Sequence, residues 1–119
     1  MKVLVCGSRK YKAWSVVLDV MDRILAGESV VHVIEGGAKG ADFLARRWAV
    51  TRKQPYTEIK ADWKQYGLVA GPIRNRKMLD LKPDLVIAFH EDPGLGVGTK
   101  DCAEVPNKSG IFRIPTALG

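Results

Sequence analysis

The chain has 119 residues, 46% of them apolar, and a formal net charge of +6 at pH 7. This content predicts a single domain over residues 1–119 with its own core. The lack of a long uncharged run excludes a membrane span, and the apolar start is too short for a secretory signal. Cys6 and Cys102 show no CxxC spacing, so we expect a reduced, cytoplasmic protein. The charge suggests an anionic partner, and it does not choose between a nucleotide, a nucleic acid and generic surface charge.

The first unit is a strand over Val3–Val5 followed by a helix that begins near Ala13. One helix face carries the apolar residues Trp14, Val17, Leu18, Met21 and Leu25. Between strand and helix, Gly7-Ser8-Arg9 offers a permissive backbone, a hydroxyl and a guanidinium. Open α/β sheets bind ligands at this end of a strand. The same residues also suit a turn with a helix-capping serine, and both interpretations stay open.

The second unit is a strand over Val30–Ile34, a glycine turn and a helix running to about Lys53. The turn reads Gly36-Gly37-Ala38-Lys39-Gly40-Ala41-Asp42. Glycines at a strand–helix junction let an anion approach the bare N–H groups of the first helical turn, where the macrodipole also favours negative charge. Asp42 could cap the turn, pair with Arg46 or accept a ribose hydroxyl.

A third strand is expected over Pro55–Ile59, followed by a polar and aromatic loop over Asp62–Gly67. Pro72 suits the first turn of the next helix, which Lys82-Pro83 ends. The first two turns then carry Arg74, Asn75, Arg76 and Lys77. Because cations oppose the macrodipole there, arginine at such positions indicates a bound anion.

A fourth strand over Leu85–Phe89 is apolar throughout, which is typical of a strand buried on both faces. It leads into the glycine-rich loop 94–101, which lacks the Gly-Lys-Ser/Thr of a P-loop. A short helix from Thr99 to Glu104 and a last strand over Ile111–Ile114 complete the chain. A metal site at His32 or His90 would need convergent ligands that the sequence does not reveal, so we expect no metal site.

This order predicts a single Rossmann-like, doubly wound α/β domain with about five parallel strands in the order 3-2-1-4-5. Strands 1 and 4 then flank the switch point. The loops after Cys6 and Phe89 face one crevice, beside the loop after Ile34 and the start of the Pro72 helix. Four segments rich in glycine or arginine therefore converge on one edge of the sheet, which favours binding of a phosphate.

Five blocks resemble the YspA/YpsA-related branch of the SLOG superfamily, in the same order along residues 2 to 115. They are Gly7-Ser8-Arg9, Gly36 to Asp42, Ala61-Asp62-Trp63, Ala70-Gly71-Pro72-Ile73-Arg74-Asn75-Arg76-Lys77-Met78 and Gly98-Thr99-Lys100-Asp101. The resemblance implies a Rossmann-like domain associated with nucleotides or nucleotide-derived ligands. Relatives in the superfamily include the LOG phosphoribohydrolases, which cleave cytokinin nucleotides, and the DprA proteins, which bind single-stranded DNA.

The LOG enzymes use an arginine in an Arg-Lys-containing helix and a glutamate in a Pro-Gly-Gly-x-Gly-Thr-x-x-Glu loop. Arg74 or Arg76 occupies the arginine region here, and Gly98-Thr99 matches the Gly-Thr. The glutamate position falls on Cys102, so Asp101 is the nearby carboxylate that could replace it. The resemblance thus implies Arg74 and Asp101 as catalytic residues of an N-glycosidic hydrolase.

The leading hypothesis is a domain that binds a nucleotide or nucleotide-derived ligand as a sensor, carrier or sink, without a cofactor. The amides of the Gly36 and Gly98 loops, with Ser8 and Arg74, would bind the phosphate. Asp42 or Asn75 would bind the sugar, and Trp63 or Tyr11 would stack on the base. The predicted ligand-binding residues are Gly7, Ser8, Arg9, Gly36, Gly37, Ala38, Gly40, Asp42, Trp63, Arg74, Asn75, Gly98 and Thr99.

Two alternatives remain. A LOG-like hydrolase would add Asp101 near the anomeric carbon of the same ligand. A nucleic-acid-binding module would use the run Trp63-Lys64-Gln65-Tyr66, in which aromatic residues are interleaved with basic ones and suit stacking on a strand. By analogy with LOG and DprA, the protein is expected to be capable of forming homo-oligomers.

Overall fold

The computed structural model describes residues 1–90 in full and the backbone of residues 110–115. Helices separate the first four strands from one another along the chain. The strands are β1 (Lys2–Gly7), β2 (His32–Glu35), β3 (Tyr56–Glu58), β4 (Leu85–His90) and β5 (Gly110–Pro115). The helices are α1 (Trp14–Ile24), α2 (Ala41–Thr51), α3 (Trp63–Tyr66) and α4 (Ala70–Asp80). The predicted helix from Thr99 to Glu104 lies outside the described residues.

The strands form a parallel sheet in which β1 lies between β2 and β4. β2 also pairs with β3, so the predicted α/β class and the order 3-2-1-4 are confirmed. The backbone of β5 pairs in parallel with the outer side of β4. The switch point therefore lies between β1 and β4, where neighbouring crossovers leave the sheet in opposite directions.

Each face of the sheet has its own hydrophobic cluster, because side chains alternate along a strand. Val3 and Val5 of β1 pack in the cluster that includes residues of α1 and α2. Leu4 and Cys6 point to the opposite face, where Met78 of α4 packs. Cys6 and Trp48 are both buried. Helices thus cover both faces of the sheet, and the polar side chains of the candidate site lie at its carboxyl edge.

One segment differs from the prediction. Residues Asp62–Gly67 were expected to form a loop, but Trp63–Tyr66 is a helical turn that continues as a 3-10 turn over Gly67–Val69. The side chain of Asp62 caps α3 by accepting from the Gln65 amide at 3.1 Å. A single turn carries too few apolar positions to show a helical period, so the sequence pattern could not reveal it. None of the described helices is both long and apolar enough to cross a membrane.

Candidate functional site

The loop after β1 joins three elements at the carboxyl edge of the sheet. The amide of Ser8 donates to the carbonyl of Phe89 at the end of β4, across 2.9 Å. The carbonyl of Ser8 accepts from the amide of Ala41, the first residue of α2, across 3.0 Å. The backbone of one residue therefore connects the switch point to the glycine turn. The loop after β1, the end of β4 and the glycine turn therefore meet as predicted, whereas the predicted loop after Phe89 lies outside the described residues.

Gly40 permits this close approach. Its φ is 75°, and a Cβ atom there would lie 2.2 Å from the Ser8 carbonyl oxygen. Any other residue would meet both a strained backbone and a collision with main-chain atoms. Gly40 is thus explained by the packing of the turn on the loop after β1, whether or not an anion binds there.

The amides of the glycine turn donate to carboxylates of the chain itself. The Gly37 amide lies 3.1 Å from each carboxylate oxygen of Glu35. The Ala38 amide donates to Oδ2 of Asp42 across 3.2 Å. Two of the N–H groups predicted to bind a phosphate therefore already have carboxyl oxygens of the protein as acceptors.

Glu35 is the residue of this site that the sequence analysis missed. It ends β2 with 0% of its surface exposed. The pKa of its carboxyl group is raised from 4.5 to about 7. Burial is the main cause, the Gly37 amide opposes it, and the nearby carboxyl groups of Asp42 and Glu58 add to the rise. The signal available in the sequence was an acidic residue placed directly between an apolar strand and two glycines.

Asp42 closes the turn from the helix side. It is only 7% exposed, and burial raises its pKa although the Ala38 amide and the guanidinium of Arg74 favour the charged form. Of the three predicted roles, the structure shows the capping one. The pairing with Arg46 is wrong, because Arg46 instead bridges to Glu58 of β3 at 3.5 Å.

Arg74 reaches from the second turn of α4 to the glycine turn. Its Nη1 donates to the carbonyl of Gly36 across 3.0 Å, and its Nε donates to Oδ1 of Asn75 across 2.8 Å. A Cβ atom on Gly36 would lie 2.5 Å from Nη1, so glycine at this position leaves room for the guanidinium where it lies. Arg76, the other candidate arginine, is exposed. The structure therefore selects Arg74 as the arginine at this edge.

Trp63 and Tyr11, the two candidates for stacking on a base, differ in exposure. Trp63 is 47% exposed, and the guanidinium carbon of Arg9 lies 5.8 Å from its ring centroid. Tyr11 is buried and packs on Phe89, with ring centroids 5.5 Å apart. The stacking role predicted for Tyr11 is wrong, because its ring belongs to the core between α1 and the sheet.

Several predicted residues keep their status as predictions. Gly98, Thr99 and Asp101 lie outside the described residues. Asn75, predicted to bind a sugar, is buried with 4% of its surface exposed. Gly7 lies at the end of β1, where the backbone of β4 passes too close for any side chain.

Within residues 1–90, no group of three acidic, cysteine or histidine side chains could hold a metal ion.

Comparison with known proteins adds a family match. Residues 1–66 match the sequence model of the YAcAr family, the YspA, cpYpsA-related SLOG family. The matched range contains the loop after β1 and the whole glycine turn. The chain is also 37% identical to the Gene 61 protein of Mycobacterium phage D29, in an alignment of 119 residues that covers 92% of this chain and 91% of the relative. No solved structure matches the chain.

Proposed function

This chain belongs to the YspA, cpYpsA-related SLOG family, and we propose that it binds a nucleotide or nucleotide-derived ligand at the carboxyl edge of its sheet. Membership of the family supports the class of ligand. The place is supported by the convergence of the loop after β1, the glycine turn and α4 at the switch point, which is where open α/β sheets bind ligands.

The observation that carries the proposal is the placement of Arg74. An arginine has five N–H donors, and its bonds to Gly36 and Asn75 use two of them. The other three have no acceptor among the described residues and suit a phosphate, which guanidinium groups bind through paired bonds. Because the amides of Gly37 and Ala38 donate to carboxylates, Arg74 supplies the main phosphate contact in our proposal, assisted by Arg9 and Ser8.

The base of the ligand would stack on Trp63. The ring is half exposed, lies next to the guanidinium of Arg9, and stands beside the first turn of α4. Stacking on an aromatic face accepts any base, since every base has a π-face. The proposal therefore names a nucleotide without choosing its base, and it describes binding as a sensor, carrier or sink.

The test is a proton NMR panel of ribo- and deoxyribonucleoside monophosphates, ADP-ribose, cyclic ADP-ribose and NAD. Saturation transfer from the protein to a panel member is the expected result. Arg74→Ala should abolish it, whereas Arg76→Ala, which removes an equal charge from an exposed position of the same helix, should leave it. Equal losses in the two variants, or no transfer to any member, would contradict the proposal.

The same samples decide between binding and hydrolysis. New resonances of a free base would show turnover, and Asp101→Asn would then be expected to stop release while keeping binding. If no panel member shows saturation transfer and a single-stranded 20-nucleotide DNA binds tightly with a strong dependence on salt, the nucleic-acid alternative is favoured.

A further inference from the structure

Asn75 occupies a position where the helical period calls for an apolar residue. It shares the buried face of α4 with Gly71, four residues earlier, and Met78, three residues later. Met78 packs in the cluster beneath the sheet. An amide on such a face loses its hydration, which costs free energy unless its polar atoms find partners. The acceptance of the Arg74 Nε–H by Oδ1 meets part of this requirement.

The bond between these two residues changes where the arginine points. Adjacent residues of an α-helix project about 100° apart, so their side chains do not normally meet. Here the 2.8 Å bond from Nε to Asn75 requires the Arg74 side chain to bend toward the buried face of α4. The same bend brings Nη1 to 3.0 Å from the carbonyl of Gly36, 38 residues earlier in the chain.

Two bonds on different nitrogens fix the plane of the guanidinium group. A free arginine side chain samples many rotamers and loses this freedom when it binds an anion. With Nε held by Asn75 and Nη1 held by Gly36, that loss has already occurred before a ligand arrives. Both N–H groups of Nη2 and one of Nη1 then keep a constant direction at the carboxyl edge of the sheet.

We propose that Asn75 is a positioning residue: it holds the guanidinium of Arg74 over the glycine turn and thereby sets the affinity of the site for phosphate. This inference rests on the proposed function, since it concerns the affinity of the proposed site for phosphate. It assigns Asn75 to the orientation of Arg74, in place of the contact with the sugar that the sequence predicts. Asn75 acts through its acceptor Oδ1. A variant that keeps an oxygen at this place should therefore preserve the orientation of the Arg74 guanidinium, and a variant without one should lose it.

The first experiment needs no ligand. The side-chain Nε–H resonance of Arg74, assigned by its disappearance in Arg74→Lys, should exchange slowly with water in the native protein. It should persist in Asn75→Asp, which keeps an acceptor, and broaden beyond detection in Asn75→Leu, which has a similar size and no acceptor. Persistence in a folded Asn75→Leu protein would overturn the proposal.

The second experiment measures the dissociation constant of AMP. Asn75→Leu should weaken binding about three- to tenfold, the usual cost of ordering one long side chain. In an Arg74→Lys background the same substitution should add nothing, whereas an independent contact to the sugar would weaken AMP equally in both backgrounds. Equal weakening would overturn the inference, as would unchanged affinity in Asn75→Leu.

The two experiments separate this inference from the proposed function. Arg76→Lys, on the exposed face, is the matched control and should change neither the Arg74 resonance nor AMP binding. If the native protein binds no member of the nucleotide panel, the proposed function fails, and the Nε–H resonance still decides whether Asn75 holds Arg74.

Discussion

Glu35 and Gly37 are joined by one N–H group placed between two oxygens: the Gly37 amide lies 3.1 Å from both Oε1 and Oε2 of Glu35. Protonation of one oxygen therefore leaves the other free to accept the bond. The carboxyl group can bind a proton without releasing the turn, so its titration changes the charge of the site more than its shape.

Stability should fall as the pH rises through neutrality. The pKa of Glu35 is raised to about 7 in the folded protein from 4.5, so the folded state binds more protons than the unfolded state between these values. The stabilisation is complete below about pH 4.5 and is lost above about pH 7, amounting to about 2 kcal/mol between pH 5 and 8. Urea unfolding of the native protein against Glu35→Gln measures it.

The glutamine variant keeps an acceptor for the Gly37 amide and cannot ionise, so its stability should exceed that of the native protein increasingly toward pH 8. Glu28→Gln, at an exposed position, is the control and should run parallel to the native protein. If the free energy of unfolding of Glu35→Gln instead follows that of the native protein in parallel from pH 5 to 8, Glu35 is charged throughout this range.

Gly40→Ala should destabilise the fold by more than about 2 kcal/mol, because it combines a left-handed backbone with a collision. Gly27→Ala is matched in conformation, with φ 87° against 75° at Gly40, but nothing lies within 4 Å of its added Cβ. It should cost about 1 kcal/mol. The difference in urea midpoints isolates the contact with Ser8, and equal costs would contradict it.

Asp22→Ala should cost about 1–2 kcal/mol. Asp22 accepts from the buried Trp48 indole across 2.9 Å and from Nε of Arg52 across 3.0 Å, and a buried donor left without an acceptor costs about 1–3 kcal/mol. Asp22 borders an open cleft of about 210 Å³, so water can replace part of the loss and the lower part of that range applies.

The matched control is Asp19→Ala, which removes the exposed pair with Arg23 on the same helix. It should change the free energy of unfolding by less than about 0.5 kcal/mol. Similar costs for the two variants would mean that the indole of Trp48 does not depend on Asp22.

Trp63→Ala should weaken AMP binding about fivefold or more, since one base stacked on an aromatic ring contributes about 1–3 kcal/mol. Leu68→Ala is the control: Leu68 is 94% exposed in the adjacent 3-10 turn and offers no π-face. Fluorescence titration measures both. If both variants bind AMP with unchanged affinity, the base does not stack on Trp63.

The strands and long helices could be predicted because their apolar periods are local. A few residues are enough to identify each of these elements, as in the apolar runs Val3–Val5 and Leu85–Phe89 and the apolar face of α1. The convergence of Ser8, the glycine turn and Arg74 followed from the topology of parallel sheets. Family membership, predicted from five motif blocks, is confirmed over residues 1–66.

What could not be predicted depends on contacts between distant residues. The same glycines are compatible with a turn that binds an anion and with a turn whose amides donate to Glu35 and Asp42. Only the three-dimensional structure distinguishes these two kinds of turn. Tyr11 has a polar tip in a short loop, yet its ring fills the core against Phe89, 78 positions later in the chain. The bend of Arg74 toward Gly36 likewise depends on a buried neighbour, Asn75.

The backbone of Ser8 accepts from Tyr11 as well as from Ala41, and donates to Phe89. With its amide and carbonyl both committed, the floor of the crevice is built before any ligand enters. Within residues 1–90, ligand capture would then proceed by rotation of a few exposed side chains, Arg9 foremost. The association rate is consequently expected to be limited by diffusion and charge, and to rise as the ionic strength falls.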